Sequence, residues 1–155
     1  MLFIHDTEKE NALQLSRFDV AHPLSSCSPH PITLEEQSWL TCEHYFNAQL
    51  VTRESHFQQV ISAPSGKAAH DFVHPWYRKK VKDWKKKRRV LMSRALYTKA
   101  QMYAEVREAL LATGDRLILE TSLYDHFWGV GRDLRGENMF GRVWMDIRKK
   151  LREAL

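Results

Sequence analysis

The spacing of apolar residues changes character several times along the chain, and each change predicts an element. Up to about His30 the sequence reads as strand and loop, because Pro23, Pro29, Pro31 and the small polar stretch SSCS from Ser25 interrupt any helical pattern. From residue 35 to residue 51 the period turns helical: Trp39, Glu43, Phe46 and Leu50 stand at i, i+4, i+7 and i+11 on one stripe. Short helices are expected over residues 54–61 and, past the turn at Pro64, Ser65 and Gly66, over residues 67–72. Residues 77–111 read as two helical stretches, the second strongly periodic through Met92, Leu96, Tyr103, Val106 and Leu110. Gly114 supplies a helix stop, and RLILET from Arg116 a short buried strand. A glycine-rich loop from Asp125 then leads to Asn138, the expected N-cap of a last helix whose apolar face is Phe140, Val143, Trp144, Ile147 and Leu151. The pattern predicts an α+β, helix-dominated fold with a few short strands. At 155 residues the chain is most simply a single domain over residues 1–155.

Two ionisable residues break the periodicity. Glu43 lies inside the stripe of Trp39, Phe46 and Leu50, and Lys99 inside the stripe of Met92, Leu96, Tyr103, Val106 and Leu110. Burying either charge costs several kcal/mol unless it is paired or hydrogen-bonded. A buried carboxyl and a buried amine are also what a general acid and an amine nucleophile require. The plain alternative is a structural strut, or a lysine that snorkels to the surface. The loop adds Asp125 three residues before Trp128, followed by Gly129 and Gly131. A carboxylate beside a flat ring, with room for close backbone approach, suits a ribose hydroxyl and a nucleobase-like ring; a tryptophan plugging the core suits the same spacing.

Charge changes the picture next. Between Arg78 and Arg89, RKKVKDWKKKRR holds nine basic residues and one acid, more than the whole net charge of +5. A basic stripe on a mildly acidic body points to a phosphate-bearing partner, small molecule or nucleic acid, although a solvated helix face reads the same way. Trp84 stands in that run as a lone aromatic among cations, four residues before Arg88 and so on its helix face. No helix-turn-helix or RNA-binding signature accompanies it. His44, His70, His74 and His126 show no ligand spacing, so no metal is expected. Cys27 and Cys42 form no C-x-x-C pair and no disulfide framework. No apolar run reaches membrane-spanning length, and the N-terminal residues lack the basic start and long apolar stretch of a signal peptide. A cytoplasmic, reduced protein without membrane contact is the expectation.

These residues fall within longer motifs. WLTCEHYFNAQL from Trp39, the spaced DW, R, M and K of Asp83, Trp84, Arg88, Met92 and Lys99, LLATGDRLILETS from Leu110, and DHFWGVGRDLRGENMFGRVWMDIR from Asp125 resemble the NADAR family, the YbiA-like group of N-glycosidases acting on riboflavin intermediates. The resemblance runs in family order from about Pro23 to Arg152, and the last motif is highly specific. It implies a helix-rich α+β fold, no cofactor, and hydrolysis of an N-glycosidic bond to a phosphorylated ribose in early aminouracil intermediates. Other members of the family remove ADP-ribose from guanine bases in nucleic acid, so the alternatives are that activity or a module that binds ADP-ribose or a nucleotide without turnover. Glu43, Trp84, Arg88, Lys99, Asp125, Trp128, Asn138 and Arg148 match family positions residue by residue. The resemblance implies catalytic roles for Glu43, Lys99 and Asp125, and substrate contacts for Trp84, Arg88, Trp128, Asn138 and Arg148. The chain departs from the family pattern in SSC from Ser25 where SNF is common, in Asn47 and Leu50 where FQAQK is usual, and in Ala100 after Lys99.

Overall fold

The structure, a computed structural model, describes residues 4–155. In chain order its elements are α1 (Asp6–Asn11), β1 (Leu13–Leu15), β2 (Ile32–Leu34), β3 (Gln37–Trp39), α2 (Cys42–Ala48), α3 (Glu54–Ile61), α4 (Gly66–Val73), α5 (Trp84–Met102), α6 (Ala104–Leu111), β4 (Ile118–Glu120) and α7 (Met139–Glu153). Helices dominate and the strands are three residues each, an α+β architecture. Among the described residues, no helix is long and apolar enough to cross a membrane. The contacts gather into two compact units: residues 1–25 with 105–155, and residues 26–104.

In the first unit, β1 pairs in parallel with β4, Leu13 opposite Ile118 and Leu15 opposite Glu120. α1 forms where the sequence reads as strand and loop; the Glu8 carboxylate reaches back to accept from the His5 backbone amide (3.2 Å), which closes its first turn. β4 is buried at every position, as the RLILET run predicts. α7 packs on β4 and buries Phe140, Val143, Trp144 and Ile147, and the Trp144 indole N–H donates to the Leu24 carbonyl (2.8 Å). Helix and strand approach so closely that a Cβ on Gly141 would lie 1.9 Å from the Ile118 carbonyl oxygen. Asn138 does occupy the N-cap position, but at φ +50° and without capping: its amide instead donates to Ile118 O (2.9 Å) and accepts from Glu120 N (2.8 Å). The physical reason is that the buried edge of β4 has peptide groups that need partners, and this amide supplies both. α6 ends near Gly114, which adopts φ +61° as its stop signal predicts.

The second unit corrects the expected helix over residues 35–51. Ile32–Leu34 and Gln37–Trp39 form an antiparallel hairpin instead, joined by Glu35 and Glu36 at φ +56° and +63°. Two left-handed residues are the geometry of a two-residue hairpin turn, and neither glutamate advertises it as glycine or asparagine would. Trp39 therefore reaches the core from a strand, and its i, i+4 spacing to Glu43 is coincidental. Helix begins only at Cys42, where the Thr41 hydroxyl accepts from His44 N (3.2 Å). Every residue of α2 is buried, with α3, α4 and α5 packed on it. Residues 77–83 are not helical either: Lys80 bridges Val51, and Asp83 turns into α5 at φ +59°. Tyr103, extended at φ −122°, breaks the predicted apolar stripe between α5 and α6.

Glu36→Gly is expected to stabilise the hairpin by about 1 kcal/mol, the cost of a left-handed non-glycine residue. Gly141→Ala is expected to destabilise by more than about 2 kcal/mol through overpacking against β4. Urea unfolding midpoints at unchanged slope measure both.

Candidate active site

Glu43 and Lys99 are both 1% exposed and both lie in the second unit. Glu43, second in α2, receives the Ser26 hydroxyl on Oε1 (2.8 Å) and the Asn47 amide on Oε2 (2.8 Å), and its own backbone N–H donates to Ser26 O (3.1 Å). The cap at Thr41 and one helical turn set this arrangement, since Asn47 follows Glu43 at i+4. Lys99 comes from the buried face of α5 beside Met92, Leu96 and Ala100, and its Nζ donates to the Ser28 hydroxyl. Ser28 in turn contacts His30 Nδ1 (2.8 Å), and the His30 ring sits edge-on to Tyr103. The Ser28 oxygen thus accepts from Lys99 while the same hydroxyl is hydrogen-bonded to the His30 ring. Carboxylate and amine are thus held by two serines that stand two residues apart.

The Cys42 thiol senses both charges. Burial pushes it up to about 11, while Lys99 draws it down and Glu43 adds to the rise. A polar chain extends from Glu43 in the other direction: Asn47 Oδ1 meets His74 Nε2 (2.8 Å), and the His74 ring stands edge-on to Trp84 (6.1 Å). Three cations surround the half-buried Trp84 ring: Lys80 at 5.3 Å, Arg88 at 5.6 Å and Lys85 at 5.9 Å. Lys85, Lys86 and Lys87 are exposed, whereas Arg88 is half-buried. His44 is a core residue, held between Thr41 Oγ1 (2.8 Å) and the Ala63 carbonyl (3.0 Å).

Asp125, Trp128, Asn138 and Arg148 belong to the first unit. One oxygen of Asp125 accepts from the backbone N–H groups of Phe127 (3.0 Å) and Trp128 (2.8 Å); the other lies 3.8 Å from the Arg17 guanidinium, with the side chain 31% exposed. Trp128 is buried against Phe127 and beneath Arg17. Arg148 donates to Thr113 Oγ1 and Arg116 O, both at 2.8 Å, and Asn138 is committed to β4 as described. The geometry therefore gives Asn138 and Arg148 interior partners, and gives Asp125 one oxygen for the loop and one turned towards Arg17.

Sequence reasoning missed Ser26, Ser28, Asn47 and His74 around the buried pair, and Arg17 and Glu120 in the first unit. Glu120 is fully buried and accepts from Ser122 N (2.8 Å) and Arg17 N (2.9 Å). Its signal was a carboxylate inside the strand RLILET; the serines had one in the SSCS stretch, while Arg17 had none. Among the described residues, no three His, Cys, Asp or Glu side chains gather as metal ligands.

A family model for the NADAR domain matches residues 2–152. The chain belongs to the NADAR family. It is 33% identical over 134 residues to an N-glycosidase of Nostoc punctiforme, covering 84% of this chain and 86% of that one. It is 30% identical over 127 residues to N-glycosidase YbiA of Escherichia coli K12, covering 82% and 79%. The NMR structure of E. coli YbiA superposes with a TM-score of 0.80 over 92% of this chain and 86% of that one, at 26% identity. A longer relative, a riboflavin biosynthesis protein of Vibrio vulnificus, is 31% identical over 130 residues, which cover 84% of this chain and 35% of that protein. The chain thus falls among the N-glycosidases of the NADAR family, enzymes of the hydrolase class.

The raised thiol has a pH consequence. Above its ordinary value of 9.0 the unfolded thiol ionises while the native one stays protonated to about 11. The stability that Cys42 contributes is therefore complete below pH 9 and is lost as pH rises from 9 to 11. Cys42→Ala should flatten the alkaline decline in melting temperature across that window.

Proposed function

We propose that the chain hydrolyses the N-glycosidic bond of phosphoribosylated aminouracil intermediates of riboflavin biosynthesis, with Glu43 and Lys99 as its reacting groups. The observation that carries this reading is the enclosed carboxylate and amine on neighbouring serines, where a structural core would have two apolar side chains. Family membership and the name of the longer Vibrio relative support the substrate class. In the reaction the bond between C1′ and nitrogen breaks, and its electron pair leaves with the nitrogen. The Glu43 carboxylate stabilises the cationic sugar and takes a proton from water, whose hydroxyl adds to C1′; the Lys99 ammonium protonates the departing nitrogen. If the ribose opens first, C1′ is left as an imine of the aminouracil nitrogen. The Lys99 amine adds to C1′, the aminouracil departs as the free amine, and water hydrolyses the resulting Lys99 Schiff base to the open-chain sugar and the free lysine. Borohydride trapping separates the two routes by the presence or absence of a covalent adduct on Lys99.

Phosphate is assigned to Arg88, which is half-buried beside Trp84 and can present a forked pair of donors. A ribose hydroxyl is assigned to Asp125. A second reading, release of ADP-ribose from guanine in nucleic acid, is favoured by one observation: Trp76 is 94% exposed and Tyr77 65% exposed at the head of the basic run. Exposed rings among cations suit stacked bases on a phosphate backbone.

The deciding assay compares release of free base and ribose phosphate from an aminouracil ribotide with release from ADP-ribosylated guanosine. Glu43→Gln is expected to lower turnover on the true substrate by about a hundredfold or more while the protein remains folded; wild-type turnover in this variant removes Glu43 from the chemistry. Arg88→Ala should raise KM for the phosphorylated substrate by about tenfold, and Lys86→Ala far less; equal effects would mean a diffuse electrostatic role. In Asp125→Asn the new carbonyl still accepts from Phe127 N and Trp128 N, so the turn is kept and only charge is lost. Turnover should fall about a hundredfold at an unchanged melting temperature. A lower melting temperature with turnover retained per folded molecule would make Asp125 structural.

A further inference from the structure

We propose that His74 is a positioning residue for Glu43, acting through Asn47. The inference rests on Glu43 as the reacting carboxylate, and it concerns how that carboxylate is aimed and how its charge is tuned. An asparagine amide has two N–H donors and one carbonyl acceptor. Asn47 Nδ2 makes two bonds, to the Glu43 carbonyl (2.7 Å) and to Glu43 Oε2 (2.8 Å). Both groups are acceptors, so turning the amide over would set its oxygen against two oxygens. The orientation is therefore fixed, and Asn47 Oδ1 faces His74 Nε2 at 2.8 Å. Only a donor satisfies that contact, so His74 carries its proton on Nε2 in both the neutral and the cationic ring.

The ring is held for this task. His74 caps the C-terminus of α4, stacks on His70 with centroids 4.4 Å apart at 26°, and meets the edge of Trp84. At the other end of α4, Gly66 lets the helix approach α2 so closely that a Cβ there would be 3.1 Å from the Glu43 Cβ. The linkage runs from the half-buried imidazole through a fully buried amide to a carboxylate that is 1% exposed. Each donor in it polarises the next. Gaining a proton on Nδ1 turns the ring into a cation, which strengthens the donation to Asn47 and favours the ionised carboxylate beyond it. The charged neighbours that shape this response are His70, with Asp71 on its Nδ1 (3.1 Å) and Lys67 on Asp71 (2.7 Å), and the cations Lys80, Lys85 and Arg88 around Trp84. His70 and these cations oppose a second positive charge; Asp71 and Glu43 favour it.

Two measurements test the proposal on the full chain. The first is the kcat and KM pH profile of the wild type, His74→Gln and His74→Phe. Phenylalanine keeps the ring and removes the donor, so kcat should fall by about tenfold or more with KM little changed. Glutamine restores a donor that does not titrate: kcat should largely recover, while the step that His74 contributes to the wild-type profile disappears. The second needs no substrate. The carbon-13 shift of the Glu43 carboxyl, followed by NMR against pH, should show a step from His74 in the wild type and none in His74→Gln. Wild-type kcat and pH profile in His74→Phe, or a Glu43 titration curve unchanged in His74→Gln, overturns the proposal. A wild-type turnover in Glu43→Gln would overturn instead the reading of Glu43 on which it rests, so the two failures are distinguishable.

Discussion

A carboxylate and an ammonium group removed from water need partners within hydrogen-bond reach, and the second unit is organised around supplying them. Taking either ion out of water carries a penalty of several kcal/mol. Hydroxyls and an amide are among these partners: Ser26 and Asn47 for Glu43, Ser28 for Lys99. The serines come from the segment that precedes the hairpin, the amide from the next turn of α2, and the lysine from the apolar face of α5. All three pieces of chain must be in register for either charge to be tolerated. The same requirement makes α2 a helix with no exposed face and brings α4 within van der Waals distance of it at Gly66.

The basic run poses the opposite problem. Lys85, Lys86, Lys87, Arg88 and Arg89 fill the first turns of α5, where the helix dipole disfavours positive charge, and no acidic residue in that first turn offsets them. Such a concentration is unfavourable for the isolated helix and favourable for an anion, which gains from the dipole and from the side chains together. Among these five, Arg88 alone is half-buried, and its guanidinium lies 5.6 Å from the Trp84 ring. Ordering one arginine against an aromatic face reduces the rotamer entropy that a phosphate contact would otherwise have to freeze.

In the first unit the organising element is β4, three residues long and buried throughout. A strand this short has few backbone partners, and Asn138, Gly141 and the loop between Asp125 and Asn138 compensate. Asn138 bonds its edge, Gly141 lets α7 lie against its carbonyl, and the backbone N–H of Val130 donates to Glu120 O (3.0 Å). Several polar residues of the motif thus serve the fold. Asp125 combines both uses, with one oxygen closing the loop and the other beside Arg17.

The amino-acid sequence by itself determined the helical content, the bounds of α3, the buried strand at RLILET and the last helix, because each rests on local periodicity and on stop signals such as Gly114. It also exposed Glu43 and Lys99, since a charge on an apolar stripe is visible without coordinates. It misread residues 35–41, where two glutamates adopt a left-handed turn that no residue type announced and a strand tryptophan happened to fall at helical spacing. Tertiary structure alone decided what surrounds the buried charges. Ser26 and Ser28 reach them from outside any regular element, and His74 reaches Glu43 across 31 positions of sequence through Asn47. Hydrogen bonds between distant residues carry no period, so the partners of a buried charge are written in the packing and not in the spacing.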